Sequence, residues 1–271
     1  MEGAGGLCPC LRSRVIEFLL HSVKLLEVSP IVKYSALSLF ADRFCAAFSR
    51  LEDGKSRTCW LLHPIRESNL QLFALVSLWI SSKIHDTRPI CVKSLKALGD
   101  ELIKDQHYTK GDILEAEMVL MQVYKYQVTI KLLVVIVGAD CVYSIFLNYS
   151  CSFKTLKFGI GTSNTAFILL EELLSLLRVI ARVGFHVKME ACMDIMDILY
   201  ENEVTSVPYS SPQALSASIL ECVVAYVTTV PLAKWEFPIL PWVKFVTSCK
   251  DEEIMKSVEA ILKHIFQFQS D

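Results

Sequence analysis

Leu72-Phe73-Ala74-Leu75-Val76-Ser77-Leu78-Trp79-Ile80-Ser81-Ser82-Lys83 is the run on which the fold class turns. Leu72, Val76, Trp79, Ile80 and Lys83 recur at the spacing of one helix face, and the run stops before Pro89. Lys83 ends an otherwise apolar stripe, and a lone charge in that place calls for a partner or a function.

Upstream, the same period continues through Val15, Phe18, Leu19, Ser22 and Leu26, ending before Ser29-Pro30. It resumes through Leu37, Phe40, Ala41, Phe44 and Phe48, ending near Asp53-Gly54. Downstream, a short helix fits Val92 to Leu98, closed by Gly99. Thr109 can cap a fifth helix, with Ile113, Ala116, Glu117, Leu120 and Met121 on one face. The C-terminal part repeats the theme. Thr162 or Ser163 can cap a leucine-rich helix reaching about Arg182. Further helices fit Met189 to Tyr200, Gln213 to Val230, Leu240 to Thr247 and Asp251 to Phe268, punctuated by Pro208, Pro212, Pro231, Pro238 and Pro241. No long alternating strand pattern occurs. The chain thus reads as all-α: five helices, an interruption, then five helices, forming two lobes of similar length.

Hydrophobic residues make up 53% of the 271 residues, enough for a large core. The net charge of −2 lacks the basic face that nucleic-acid binding needs. The ten cysteines show no CxxC pairs at zinc spacing, and no signal-peptide order opens the chain, so they are expected to be reduced and intracellular. There is no glycine-rich phosphate loop, nucleophile motif or metal cluster, which argues against an enzyme. Glu171-Glu172 reads as a solvated helix edge.

The stretch 125–155 is apolar and β-branched, unlike its flanks. Leu132 to Tyr149 approaches the lower length limit for crossing a bilayer. Asp140 in mid-run opposes that, costing about 2.5–3.5 kcal/mol on insertion scales. Tyr124-Lys125-Tyr126 before the stretch is echoed by Leu156-Lys157-Phe158 after it. The stretch is therefore expected to be an insertion, such as a transcript variant; sequencing the transcript tests this, and a dominant message encoding all 271 residues would count against it.

Several motifs, in order, resemble those of the cyclins. Leu11-Arg12-Ser13-Arg14-Val15-Ile16-Glu17-Phe18-Leu19 is similar to the run M-R-A-I-L-V-D-W-L of the first cyclin-box helix. Asp42-Arg43-Phe44 stands where the second helix ends in D-R-F. Ser81-Ser82-Lys83 with His85-Asp86 resembles the A-S-K and following acids of the third. Leu114-Glu115-Ala116-Glu117-Met118-Val119-Leu120 matches the fifth, with Glu117 at the glutamate. Leu156-Lys157-Phe158-Gly159-Ile160-Gly161-Thr162-Ser163 resembles the entry to the second lobe. The short N-terminus and the run from Ser29 to Phe44 look most like the small plant J-type cyclins.

The resemblance implies an N-terminal cyclin box over 1–124, the atypical insertion over 125–155 and a C-terminal cyclin-like lobe over 156–271. It implies a non-catalytic regulatory subunit that forms a heterodimer with a cyclin-dependent kinase and works in the nucleus and cytoplasm, with no cofactor, metal or nucleic acid. Lys83 and Glu117 would be the kinase-binding anchors, Arg12 and Asp42 an ion pair bridging the first two helices, and Leu11, Arg14, Val15 and Phe18 a candidate substrate-docking patch. Arg14 stands for an apolar residue and Phe18 for tryptophan, which weakens the case for docking. His85-Asp86, spaced from Lys83 by Ile84, departs from the usual acidic pair. The alternatives are a membrane-tethered helical interaction protein, resting on 125–155, and a DNA-binding transcription-factor-type cyclin fold.

Overall fold

Pro30 is pre-set at the φ of a first helical turn, and the chain uses it as such. The computed structural model describes residues 8–45, 60–62, 64, 66–122, 165–201, 211–229 and 238–267. Helices α1 (Pro9–Leu25) and α2 (Pro30–Leu37) come first, and α2 continues through a wider π-helical stretch, Ser38–Cys45. Then follow α3 (Glu67–His85), α4 (Val92–Leu102) and α5 (110–122). The second half contributes α6 (Ala166–Ile180), a 3-10 turn Arg182–Phe185, α7 (Met189–Glu201), α8 (Pro212–Thr229), α9 (Ile239–Thr247) and α10 (Asp251–Gln267). No strand occurs among the described residues. None of the described helices is long and apolar enough to cross a membrane, and 125–155 lies outside the described residues.

The chain divides into two units, Met1–Ser163 and Asn164–Asp271. In the first, α3 is the central helix, packed by α1 and α2. From Ser68 to Ser82 every residue but Gln71 is buried, as expected for a helix apolar nearly all round. Ser77 and Ser82 donate to the carbonyls of Phe73 (2.9 Å) and Trp79 (2.9 Å), whereas the buried Ser81 hydroxyl has no hydrogen-bond partner among the described residues. Phe44 stacks on Phe40 and tilts against Phe73, with centroids 5.8 and 4.6 Å apart.

Local chemistry sets the flanking helices. Thr109 and Asp112 form a reciprocal box at the start of α5: Asp112 N donates to Thr109 Oγ1 (3.2 Å) and Thr109 N to Asp112 Oδ2 (2.7 Å). The Tyr108 hydroxyl donates to Asn69 Oδ1 at 2.7 Å, tying the approach to α5 onto α3. Gly99 does not close α4; the helix runs on to Leu102. A helical glycine costs only about 1 kcal/mol against alanine, and buried Leu95, Leu98 and Ile103 hold the segment on both sides of it.

In the second unit α8 is central and packs against α6, α7, α9 and α10. The cap of α6 is Thr165, whose Oγ1 accepts from Ile168 N at 3.5 Å, rather than Thr162 or Ser163. This helix ends at Ile180, and the chain folds back through the 3-10 turn. A Cβ at Gly184 would come within 2.7 Å of the Arg178 backbone nitrogen, so the close approach of turn to helix requires glycine.

Candidate functional site

Lys83 sits in the last turn of α3, where a cation complements the negative end of the helix dipole. The Asp86 amide closes that end by donating to Ser82 O at 2.9 Å. Trp79, one turn back, is buried and pinned by its indole N–H to Ile90 O at 3.0 Å. Ser82 Oγ accepts from Ile90 N at 3.2 Å, so the segment after the helix is fastened twice.

The Lys83 ammonium lies over the Trp79 ring, 3.6 Å from its centroid. It is also ion-paired with Glu117 Oε1 on α5. Side-chain exposures are 35% for Lys83 and 24% for Glu117, so the pair is partly shielded yet reachable. A cation–π contact contributes about 0.5–2 kcal/mol and here also limits where the ammonium can go. The result is a cation and a carboxylate held side by side, with donors and acceptors left to face a visiting backbone.

α5 adds an apolar component. Ile113, Ala116 and Leu120 point to the core, while Leu114 and Met118 are exposed on either side of Glu117 in sequence. Glu115 Oε2 accepts from the Trp60 indole at 3.3 Å. The motifs do not single out Leu114 and Met118, although their spacing of four, out of step with buried Ile113, Ala116 and Leu120, is a readable signal. Trp79, read as core, is core and is also the seat of Lys83.

On the α2 side, burial pushes the His85 imidazole below its ordinary value of 6.5, opposed by Asp86. Its Nε2 lies 3.1 Å from Ser35 Oγ, and Ser29 Oγ donates to Asp86 Oδ1 at 3.4 Å. The two residues that replace the expected acidic pair thus link α3 to α2.

Arg12 is buried, at 4% exposure, and Asp42 is exposed. Each makes polar interactions. Within the candidate docking patch, Val15 is fully buried and belongs to the core of the first unit. Leu11 and Phe18 are half-buried. Arg14 is exposed and bound to Glu67 at 2.8 Å, so its departure from an apolar residue has a local use. Glu171 and Glu172 are exposed, as read from sequence. Among the described residues no group of histidines, cysteines and carboxylates is arranged to hold a metal.

Comparison with known proteins bears on this face. Residues 4–129 match the family described as "Cyclin, N-terminal domain". The chain is 46% identical over 265 residues to "Cyclin-J18-like" of Oryza sativa subsp. japonica, covering 96% of this chain and 88% of that protein. It is 45% identical over 260 residues to "Cyclin-J18" of Arabidopsis thaliana, covering 96% and 97% respectively. Among solved structures it is similar to a viral cyclin from herpesvirus saimiri, with a TM-score of 0.60 over 96% of this chain and 86% of that one; at 12% identity this speaks for the fold alone. With two relatives at this identity aligned along nearly its whole length, and the helical order that the motifs imply, the chain belongs to the cyclin family.

Proposed function

We propose that this chain is the non-catalytic regulatory subunit of a cyclin-dependent kinase, forming a heterodimer that activates the kinase in cell-cycle control. A kinase of this kind needs a glutamate on a mobile helix to pair with its ATP-binding lysine. A partner can hold that helix by presenting a rigid surface with apolar contacts and a few fixed polar anchors. The observation that supports this role is the Lys83–Glu117 pair seated on Trp79, with exposed Leu114 and Met118 on the same helix as Glu117. The ammonium would donate to kinase backbone carbonyls and the carboxylate would accept from backbone amides. Such a complex would work in the nucleus and cytoplasm; a fluorescent fusion excluded from the nucleus would contradict that.

The test is to co-purify the full chain with candidate cyclin-dependent kinases and assay phosphorylation. Lys83→Ala combined with Glu117→Ala is expected to weaken kinase binding by about tenfold or more, equivalent to about 1.4 kcal/mol, while helical content stays unchanged. Undiminished kinase binding by the folded double variant would remove these residues as anchors. A chain that activates none of the candidate kinases would overturn the activation reading.

A further inference from the structure

The turn after α6 gathers a basic and apolar face that the kinase reading does not use. Val179 is 84% exposed and Phe185 is 72% exposed, with Ile180 also open to solvent. Isolated exposed apolar residues need no explanation, but large ones grouped at one turn do. Their grouping follows from the backbone. Gly184 lies against the backbone of Leu177 and Arg178, so Phe185 stands beside the end of α6. The Arg178 guanidinium fastens this arrangement, with Nε donating to Gly184 O at 3.3 Å and Nη2 to Val187 O at 3.4 Å.

Charge gives the face a sign. Arg178, Arg182 and Lys188 are all exposed, and no aspartate or glutamate occurs from 173 to 189. Glu172 and Glu190 bound the stretch. Arg178 and Glu190 share the neighbourhood of Cys192, so the surplus positive charge of the face rests on Arg182 and Lys188. The field here favours an acidic ligand, and the exposed Phe185 ring and branched side chains favour one that also brings apolar groups.

We propose that the α6 end and its 3-10 turn form a docking surface for a short acidic peptide segment of a partner protein, one carrying apolar side chains beside its carboxylates. Val179, Ile180 and Phe185 take the apolar groups. Arg182 and Lys188 meet the carboxylates, while Arg178 holds the turn in place. The proposal is independent of the kinase reading, because Lys83 and Glu117 belong to the other unit.

The experiment uses the full chain and two fluorescein-labelled peptides, read by fluorescence anisotropy. One peptide has a Leu-x-x-Phe core followed by a run of glutamates; the other has lysines in place of the glutamates. The acidic peptide is expected to bind, more weakly as sodium chloride rises to about 0.3 M, and the basic peptide is expected not to bind. Val179→Ser with Phe185→Ser, and separately Arg182→Glu with Lys188→Glu, should each weaken binding on the order of tenfold or more without loss of helical signal. Equal affinity for the two peptides would overturn the proposal, as would affinity unchanged in both variants. Three further outcomes would also overturn it: a concentration-dependent dimer abolished by the same substitutions, sedimentation with phosphatidylserine vesicles without peptide binding, or a large fall in melting temperature in Val179→Ser with Phe185→Ser. They would show that a second copy, a membrane or the protein's own chain covers the face.

Discussion

Glu221 on α8 is half-buried, and its Oε2 has no hydrogen-bond partner among the described residues. Burial pushes its carboxyl above the ordinary value of 4.5. A folded pKa raised above the unfolded one means that the folded state holds the proton more tightly. The group therefore favours the fold at low pH, and that advantage is lost as pH rises through the folded pKa. Glu221→Gln is expected to melt at a higher temperature than the parent chain at pH 7, with the difference shrinking as pH falls toward 4.5. Calorimetric melts at both pH values check this, and a pH-independent difference would contradict it. His85 has the opposite sign. Its depressed pKa leaves stability intact above 6.5, and that stability is lost as pH falls through the folded value. Neither group could be picked out by composition, because both shifts come from burial that tertiary packing creates.

At the scale of elements, most of the architecture was legible because punctuation is local. The Thr109 cap and the ends of α7, α8, α9 and α10 fall within a residue or two of where glycine, proline and apolar period put them. The departures have physical causes. The apolar stripe alone starts this helix near Leu37, whereas α2 opens at Pro30, whose fixed φ suits a first helical turn. Gly99 signals a stop in the sequence, yet the helix runs through it because its modest cost is outweighed by packing on both sides. The box at α5 allows a direct test. Thr109→Ala should cost about 0.5–2 kcal/mol in urea unfolding, as N-cap losses do, while Thr109→Ser should restore most of it. An equal loss in both variants would mean that the hydroxyl is not the stabilising group. This helix carries Glu117, so fraying at its start also bears on the anchor.

Across the whole molecule, cysteine burial offers a readout of each unit separately. Cys8, Cys10 and Cys91 are exposed; Cys45 is buried in the first unit, and Cys192, Cys222 and Cys249 are buried in the second. Burial pushes the Cys192 and Cys222 thiols up to about 12, so they hold little thiolate at neutral pH. Cys91 is shifted down by its hydrogen bonds with Ser94. Among the described thiols, brief alkylation followed by peptide mapping should modify Cys91 first, then Cys8 and Cys10, and should reach the four buried ones only in urea. Modification of Cys192 in native buffer at the rate of Cys8 would contradict the packing around α8. The same scale separates two kinds of knowledge. Sequence alone determined the helical class, the order of the described helices and the family motifs, because helix period, caps and breakers act over a few residues. The Lys83–Glu117 pairing is one that the resemblance implies, but it took the packed chain to show that Lys83 rests on Trp79 and that Arg14 serves Glu67. Those facts depend on which faces of separate helices are pressed together, and burial and pairing between residues distant in sequence arise only when the chain packs.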